Sequence, residues 1–481
     1  MTERLSESGS LYQKLAHEFA ALIRDGQLKP GERLPSVRRL AMQRQISVST
    51  ALQTLRSLEN SDLVEARPQS GYFVRQRARL LDEPEITQPS RAPRYVGISG
   101  MVARVRAAAL DPKIVPLGTA SPAAELFPAQ RFQRLASSVA RRQPIVLTTY
   151  GFSSGNAVFC HQLARRYLEW GLAIAESEFV VTHGCTEAVG LALRAVTSEG
   201  DTIAIESPAY YGTLQTIESL KLKVAEIPTH PRDGISLEAL DVVLRHHDIR
   251  AVVVTANASN PLGATMSDER KKALVEMVEE RGVALIEDDI YGDLHFGASR
   301  PLPLKAFERR GGVLLCSSFS KTLAPGLRIG WIAPGKHLAQ VAQLKYVSTL
   351  TTPEFPQLII AEFLAQGGYD HHLRRLRRAF ADQVRQMTDA VTAHFPEGSR
   401  VTRPLGGFVV WVELPCDIDT MALYDDAVAQ GFSFAPGRLF SSTDRYRHCL
   451  RLSCGHPWSP EREQAVVKLG QLIKSKAAAQ A

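Results

Sequence analysis

The sequence predicts an α/β protein in which a small helical N-terminal domain precedes a large domain built on a mostly parallel sheet. Over residues 111–475, short apolar runs rich in Val, Ile and Leu alternate with amphipathic stretches, a pattern typical of the strands and helices of parallel α/β proteins. Residues 10–75 show helical periodicity instead. Residues 76–110 are rich in proline and charge, which predicts a linker between the two domains.

The composition excludes several classes of protein. Hydrophobic residues make up 44% of the chain and charged residues 22%, which excludes a wholly disordered protein. The sequence has no run of ~20 apolar residues of the kind a membrane helix needs, and its first residues lack the layout of a signal peptide. We therefore expect a cytoplasmic protein without membrane contact. The six cysteines form no CxxC pair, and we expect no metal site.

Positive charge is concentrated at the start of the chain. Residues 1–79 contain 13 Lys and Arg against 8 Asp and Glu, whereas the whole chain has a net charge of only +7. A local excess of this kind indicates a polyanionic partner such as nucleic acid. A solvated basic surface would give the same charge balance, so this alternative stays open.

The N-terminal domain has the element order of a winged helix-turn-helix. Apolar spacing predicts helices at 11–26, 37–45 and 47–60, with Ser36 and Ser47 as the N-caps of the second and third helices. A hairpin is predicted to follow these helices. The third helix of such a domain fits the major groove of DNA.

Three motifs in this region closely resemble the DNA-binding domain of GntR-type bacterial regulators. They are GQLKPGERLPSVRRLA, ISVSTALQTLRSLE and the hairpin segment RPQSGYFV, whose turn is predicted at 68–71. The resemblance implies that double-stranded DNA is a partner. It implies DNA contacts from these residues: Arg38, Ser47, Ser49, Thr50 and Gly71. A helical protein–protein module is the alternative for this domain.

The apolar runs of the large domain each end in polar or small residues. They lie at 179–184, 202–208, 251–261, 283–289 and 313–320. Ligands of parallel α/β sheets bind at the carboxyl ends of the strands. We therefore expect the functional residues of this domain to follow these runs.

The motif SSFSKTLAPGLRIGW places Lys321 after the last of these runs, among small and hydroxyl residues. A lysine amine can condense with an aldehyde cofactor, and the Ser318 hydroxyl and Arg328 guanidinium suit a phosphate. The pattern resembles the fold-type I pyridoxal-phosphate enzymes, specifically the class I aminotransferases. That resemblance implies a smaller C-terminal α+β subdomain and a pyridoxal 5'-phosphate cofactor bound at Lys321.

Further motifs of the same family occur in the expected order. By this resemblance Asp288 pairs with the pyridine nitrogen of the cofactor, Tyr291 and Asn260 lie at its phenolic oxygen, and Tyr210 stacks on its ring. Lys321, Asp288 and Tyr291 would be the catalytic residues. Taken singly, each of these residues has an alternative as an ordinary core or strand-end side chain.

The resemblance also assigns the phosphate and the substrate. In THGCTEA, Gly184, Cys185 and Thr186 would bind the phosphate, although the family more often has Ser or Ala where Cys185 stands. Tyr150 would reach the phosphate of a neighbouring subunit, which implies a homodimer. Arg451 would bind the α-carboxylate of a substrate.

The combination of the two domains resembles the MocR/GabR subfamily of GntR-type regulators. It implies a head-to-tail homodimer that binds an operator near its own or a neighbouring gene and senses a small amine or amino acid. Two alternatives stay open. The chain could be a working aminotransferase with an appended DNA-binding head, or pyridoxal phosphate itself could be the signal.

Overall fold

The structure is a computed structural model that describes residues 11–24, 27–29, 31–60, 63–67, 70–75, 81–89, 92–151, 153–415 and 418–480. The chain divides into two compact units, residues 1–80 and residues 81–481. We call them the head and the body. Within the described residues no helix combines the length and the apolar character needed to cross a bilayer.

The head consists of three helices and a hairpin. These are α1 (Leu11–Arg24), α2 (Val37–Arg44), α3 (Val48–Asn60), β1 (Val64–Arg67) and β2 (Gly71–Val74). Phe19 of α1, Leu40 of α2 and Leu55 of α3 belong to one buried cluster. Their spacing along each helix puts apolar side chains on one face, and burying these faces together holds the three helices.

The hairpin is antiparallel and pairs Val64 with Val74. The guanidinium groups of Arg33 and Arg67 lie 6.0 Å and 4.5 Å from the centre of the Phe73 ring. The predicted helices and hairpin are thus present. Residues 25–26, where the first helix was expected to end, and residues 68–69 of the expected turn lie outside the described residues.

The body contains most of the secondary structure. In chain order its elements are β3 (Arg94–Tyr95), α4 (Ser99–Ala109), β4 (Val115–Pro116), α5 (Ala129–Arg142), α6 (Ala157–Glu169), β5 (Val180–Thr182), α7 (Cys185–Val196), β6 (Thr202–Ser207), α8 (Tyr211–Ser219), β7 (Lys223–His230), β8 (Gly234–Ile235), α9 (Leu237–His246), β9 (Ile249–Val254), α10 (Asp268–Glu280), β10 (Ala284–Asp288), β11 (Val313–Ser318), β12 (Gly330–Ala333), α11 (Leu338–Thr349), α12 (Glu354–Ala365), α13 (Tyr369–His394), β13 (Arg400–Val401), β14 (Val409–Glu413), α14 (Thr420–Ala429), β15 (Phe432–Ser433), β16 (Ala435–Pro436), β17 (Cys449–Ser453) and α15 (Pro460–Gln480).

The main sheet has the strand order β3-β7-β6-β9-β10-β11-β12-β5, with β8 paired to β7. Strands β7, β6, β9, β10 and β11 are mutually parallel. Strand β12 is antiparallel to both β11 and β5, so β5 runs in the same direction as the parallel set. All five apolar runs of the sequence therefore form strands of one sheet, which confirms the predicted α/β class.

A second, smaller sheet follows in the C-terminal part, with the order β13-β14-β17-β16. Its strands are antiparallel. Apolar residues of α13, α14 and α15 belong to the same buried cluster as those of β14 and β17. This arrangement is the predicted smaller α+β subdomain.

The region predicted as a linker over 76–110 differs from that prediction. Residues 92–110 contain β3, which pairs with the edge of the main sheet, and α4, whose Val102 is buried in the body core. Residues 81–89 have no regular secondary structure but belong to the body and make hydrogen bonds to other parts of it. The charged side chains of this segment find partners elsewhere in the body, such as Glu83 with Arg232 and Glu85 with Arg400, so proline and charge alone do not indicate a solvated linker.

Candidate cofactor site and DNA-binding surface

One cavity lies at the carboxyl ends of β5, β6, β9, β10 and β11. Eight of the residues predicted to bind the cofactor line it: Cys185, Thr186, Tyr210, Asn260, Asp288, Tyr291, Lys321 and Arg328. They come together because these strands run in one direction, so the residues that follow them meet at the same edge of the sheet.

Lys321 lies on the turn after β11. Its Nζ donates a hydrogen bond of 2.6 Å to the carbonyl oxygen of Ala120. Burial lowers the pKa of the Lys321 amine to about 8, and the positive charge of Arg451 contributes to the lowering, while Asp288 acts in the opposite direction. A larger fraction of the amine is therefore neutral near pH 7 than for an ordinary lysine, and only the neutral amine is a nucleophile.

Asp288 ends β10 and faces the cavity. Its Oδ1 accepts hydrogen bonds from the Cys185 thiol, at 3.1 Å, and from the backbone N–H of Ile290, at 3.2 Å. Burial raises the pKa of this carboxyl to about 6, and the hydrogen bond from Cys185 lowers it. Asp288 is thus ionised at neutral pH and suited to hold a cation in a buried place.

Asn260 and Tyr291 line one wall of the cavity, and Arg451, which is not itself a lining residue, joins them in a hydrogen-bond network. Asn260 donates through Nδ2 to the Tyr291 hydroxyl at 3.2 Å and accepts through Oδ1 from Arg451 at 2.9 Å. Arg451 also donates to the carbonyl oxygen of Gly118. Burial raises the pKa of the Tyr291 phenol, so this phenol stays protonated and can donate.

Arg451 itself is fully buried. Its Nε has no hydrogen-bond partner among the described residues. An unpaired guanidinium N–H inside a protein is costly. The Arg451 side chain is therefore suited to an anionic ligand, which would accept a hydrogen bond from this Nε.

The start of α7 forms a second polar end of the cavity. Gly184 is the residue before the helix and has φ +85°. A Cβ at this position would lie 2.6 Å from Nη2 of Arg328, so only glycine lets the arginine come this close. Arg328 donates to the His183 carbonyl at 3.0 Å and to the Ser320 hydroxyl at 3.2 Å. The helix N-terminus, the arginine and the Ser320 hydroxyl together favour an anion.

Three residues that were predicted to bind the cofactor do not line the cavity: Ser318, Tyr150 and Gly184. Ser318 is buried, and its hydroxyl accepts from the backbone N–H of Ser320 at 3.3 Å, while Ser320 itself lines the cavity. Tyr150 is 75% exposed on the body surface. Gly184 precedes the first residue of α7 and offers backbone groups rather than a side chain. Tyr210, in contrast, lines the cavity, and its ring centre lies 4.9 Å from that of Tyr211.

Sequence reasoning missed four residues at this site: Gly118, Ala120, Thr255 and Ser320. Gly118 and Ala120 act through carbonyl oxygens, for which no side-chain pattern exists. Ser320 stands directly before Lys321, so the same motif could have indicated it. Thr255 directly follows β9 and lines the cavity; its place after a strand is a signal that could have been used.

The residues of the cavity fit pyridoxal phosphate. An anion-binding end at α7 and Arg328, an ionised carboxylate at Asp288 and an amine at Lys321 match the phosphate, the ring nitrogen and the aldehyde of that group. The Nε of Arg451 has no hydrogen-bond partner among the described residues and is a further donor beside Asn260, which lines the cavity. Each part of the cofactor thus has a side chain of suitable chemistry.

In the head, the predicted DNA-contacting residues lie at the surface of α2, α3 and the hairpin. Arg38 and Ser49 are exposed. The Ser47 hydroxyl accepts from the backbone N–H of Thr50 at 3.0 Å and lies 2.8 Å from the Ser49 and Thr50 hydroxyls. Ser47 thus caps α3, as predicted. Gly71 has φ +99° at the start of β2.

Comparisons with known proteins agree with both units. Residues 11–74 match the family of bacterial regulatory proteins of the gntR family, and residues 127–469 match the class I and II aminotransferases. The chain is 37% identical to the uncharacterized HTH-type transcriptional regulator YdcR of Escherichia coli (strain K12) over 97% of this chain and 99% of that protein. It is 36% identical to a second such regulator of that strain, YjiR, over 96% and 98%.

A solved structure matches the body. It is LysN, an alpha-aminoadipate aminotransferase from Thermus thermophilus in complex with N-(5'-phosphopyridoxyl)-L-leucine, with a TM-score of 0.73, 29% identity, and coverage of 79% of this chain and 98% of that one. The chain therefore belongs to the transcriptional regulators of MocR-like architecture, in which a GntR-type helix-turn-helix domain is fused to a class I and II aminotransferase domain.

Proposed function

We propose that this regulator binds pyridoxal phosphate in the body and senses a small amine or amino acid there, which changes how the head binds operator DNA. The observation that carries the proposal is one cavity lined by Lys321, Asp288 and Arg328 in a chain that also has a DNA-binding head. Pyridoxal phosphate, when bound, supplies an aldehyde for an amine and a ring that withdraws electrons.

The residues of the chain act on this group in distinct ways. The α7 N-terminus and Arg328 bind the phosphate and fix the position of the cofactor. Asp288 holds a proton on the ring nitrogen, because an ionised carboxylate in a buried place favours a neighbouring cation. Lys321 presents its amine from the turn after β11. Tyr291 and Asn260 donate hydrogen bonds to the phenolic oxygen of the cofactor.

Replacement of the lysine tests the cofactor assignment. Borohydride reduction should attach pyridoxal phosphate permanently to the full-length protein, and Lys321→Ala should abolish this attachment. Lys336→Ala is the matched control, because Lys336 is an exposed lysine of the body outside the cavity. Equal attachment in Lys321→Ala and the unaltered protein would refute the assignment.

The chemistry of Arg451 favours an effector that carries a carboxylate. A guanidinium binds a carboxylate through two parallel hydrogen bonds, and the Arg451 side chain lies beside Asn260 in the same site. Amino acids should therefore change the absorption of the bound cofactor at lower concentrations than the amines that lack the carboxylate. Arg451→Gln should remove this difference, and a difference that persists in the variant would contradict the role.

A homodimer is part of the proposal. Ile145, Leu147 and Tyr150 form an exposed, largely apolar stretch, with 68%, 56% and 75% of their surface accessible. Large apolar side chains exposed this close together in the chain favour an interface, and Tyr150 would reach the partner's cofactor site. Sedimentation analysis should give twice the chain mass of 52.9 kDa; a monomer at micromolar concentration would contradict this part.

A working aminotransferase is the second candidate. It is favoured by the complete set of Lys321, Asp288 and Tyr291, and by the lowered pKa of the lysine. Steady-state formation of keto acid from amino-acid donors distinguishes the two. Turnover of ~1 per second or more would be ordinary for an enzyme and would favour catalysis, whereas a single slow half-reaction favours a sensor.

A further inference from the structure

Residues 81–89 are the first described residues after the head in the chain, and Glu83 is their central contact. The Glu83 carboxylate accepts from the backbone N–H of Arg403 at 3.2 Å through Oε1 and forms an ion pair with Arg232 through Oε2. Its side chain is only 17% exposed. Leu81 and Asp82 add backbone contacts, as their carbonyl oxygens accept from the Arg403 side chain at 2.7 Å and from the Val401 N–H at 2.9 Å.

The two partners of Glu83 begin two routes to the cofactor site. On the first route, the carbonyl oxygen of Arg232 accepts from the N–H of Thr265 at 3.2 Å. The Thr265 hydroxyl accepts in turn from the N–H of Ala258 at 3.1 Å. Ala258 and Thr265 enclose the loop that presents Asn260.

On the second route, Arg403 starts the loop 403–407. The carbonyl oxygen of Leu405 accepts from the Phe296 N–H at 2.8 Å, and the N–H of Gly407 donates to the Leu294 carbonyl at 2.9 Å. This loop lies against Tyr291: a Cβ at Gly407 would be 4.0 Å from the tyrosine ring. Loop 403–407 thus packs on the segment that presents Tyr291.

The two loops also touch each other. A Cβ at Gly263 would overlap the Cβ of Pro404, so one loop cannot move far without the other. Asn260 of the first loop donates a hydrogen bond to Tyr291, which belongs to the segment on which loop 403–407 packs. Glu83 therefore contacts loop 403–407 directly through Arg403, and the loop of Asn260 indirectly through Arg232, whose carbonyl oxygen accepts from Thr265.

We propose that Glu83 is a positioning residue that holds these two loops together and couples occupancy of the cofactor site to the segment that leads to the head. The inference rests on the proposed function, since it needs a ligand in the cavity. A ligand that contacts Asn260 or Tyr291 biases the two loops toward one arrangement. The contacts of Arg232 and Arg403 with Glu83 become more stable in that arrangement. Two sites are coupled in this sense when one structural element responds to both.

Hydrogen exchange of the full-length protein tests the coupling, with pyridoxal phosphate itself as the probe. Addition of the cofactor should slow exchange at the backbone amides of residues 81–89. Coupling free energies commonly correspond to about a 5- to 150-fold change, and we expect a slowing of at least about fivefold. Glu83→Gln, which keeps the size of the side chain, should lose this response, and Arg232→Gln should lose it as well.

Glu85→Gln is the matched control. Glu85 belongs to the same segment and pairs with Arg400 at 2.8 Å, but its side chain is 77% exposed, and neither of the two loops contacts it in the described hydrogen bonds. This variant should keep the response. Circular dichroism and the dissociation constant of pyridoxal phosphate, measured on every variant, separate a lost response from a lost fold or a lost ligand.

The results distinguish the two proposals. If the unaltered protein binds pyridoxal phosphate but residues 81–89 exchange at the same rate with and without it, the coupling is refuted and the cofactor site stands. If the unaltered protein does not bind pyridoxal phosphate, the proposed function fails together with the inference. If Glu83→Gln and Glu85→Gln lose the response equally, Glu83 has no special role.

Discussion

The head and the body place their functional residues in opposite settings. In the head, Arg38 and Ser49 lie at the surface, and Ser47 and Thr50 are hydrogen-bonded to each other within one helical turn. In the body, Arg451 is fully buried and donates a hydrogen bond to the carbonyl oxygen of Gly118, which is 333 positions away in the chain. The head therefore offers a surface that a duplex can cover, whereas the body offers an interior that changes the pKa of its groups.

This difference predicts how mutations act. A change in the body site alters a buried network, so its effects are large and depend on pH. A change on the head surface removes a contact with a solvated polyanion, so its effects are smaller and depend on salt.

The largest effect is expected for Asp288→Asn, which keeps the shape of the side chain but removes its charge. A buried cation that loses its partner costs about 3–5 kcal/mol, so the dissociation constant of pyridoxal phosphate should rise by more than about 100-fold. Titration by absorbance measures this change. Asp233→Asn, at a carboxylate that is 61% exposed, should have no effect, and a loss below tenfold in Asp288→Asn would contradict the assigned role.

Arg38→Ala should weaken operator binding by about tenfold, the loss of roughly one charge-assisted contact. The slope of log K against log salt should fall by ~0.9 if the residue contacts one phosphate. Binding of pyridoxal phosphate should not change. Arg250→Ala, at an exposed arginine of the body, serves as the control. An unchanged salt slope in Arg38→Ala would remove this residue from the phosphate contacts.

Cys185→Ala should shift the pH dependence of cofactor binding. Asp288 holds a cation only when it is ionised, and its pKa is about 6, so affinity for pyridoxal phosphate should fall as the pH drops through 6. The Cys185 thiol lowers that pKa by donating to Asp288. Without it the pKa rises, and the loss of affinity begins at a higher pH.

The matched control for this prediction is Cys316→Ala. Cys316 is a buried thiol on the strand next to Asp288 and pairs with it in the sheet register, but its thiol points to the Leu314 carbonyl at 3.8 Å. Its removal should leave the pH profile in place. Cys185→Ser keeps a donor and should restore most of the profile. Equal profiles for Cys185→Ala and Cys316→Ala would show that the hydrogen bond has no influence.

The smallest effect is expected for Ser47→Ala in the head. Loss of an N-cap hydroxyl costs about 1 kcal/mol, so backbone amides in the first turn of α3 should exchange about fivefold faster. Pyridoxal phosphate should bind as before. Unchanged exchange in this turn would mean that the cap contributes nothing to the helix.

The sequence predicts the features whose signals are local. Asp288 ends one strand and Tyr291 follows it three positions later, and Lys321 stands within a single motif, so a short pattern indicates each of them. The caps Ser36 and Ser47 follow from hydroxyls placed directly before apolar periodicity. Such signals depend only on neighbouring residues in the chain. In the structure each of these residues lies at the end of a strand, on the turn after a strand or directly before a helix.

Long-range contacts have no such signal. Ala120 bonds Lys321 through a carbonyl oxygen, and any residue type would offer the same group. Glu83 finds Arg232 and Arg403 at distances of 149 and 320 positions along the chain. The sequence around Glu83 is rich in proline and charge, which is equally compatible with a solvated linker. Only the packed body shows that these charges have partners.

We propose that occupancy of the cofactor site in the body changes how the head binds DNA. A binding titration of the full-length protein against the DNA upstream of its own gene tests it most directly, at fixed salt, with and without pyridoxal phosphate and a panel of amino acids and amines. We predict that at least one of these ligands changes the dissociation constant for DNA by about fivefold or more, and that Lys321→Ala removes the change. Equal DNA affinity under every condition, in a protein that binds pyridoxal phosphate, would contradict the claim.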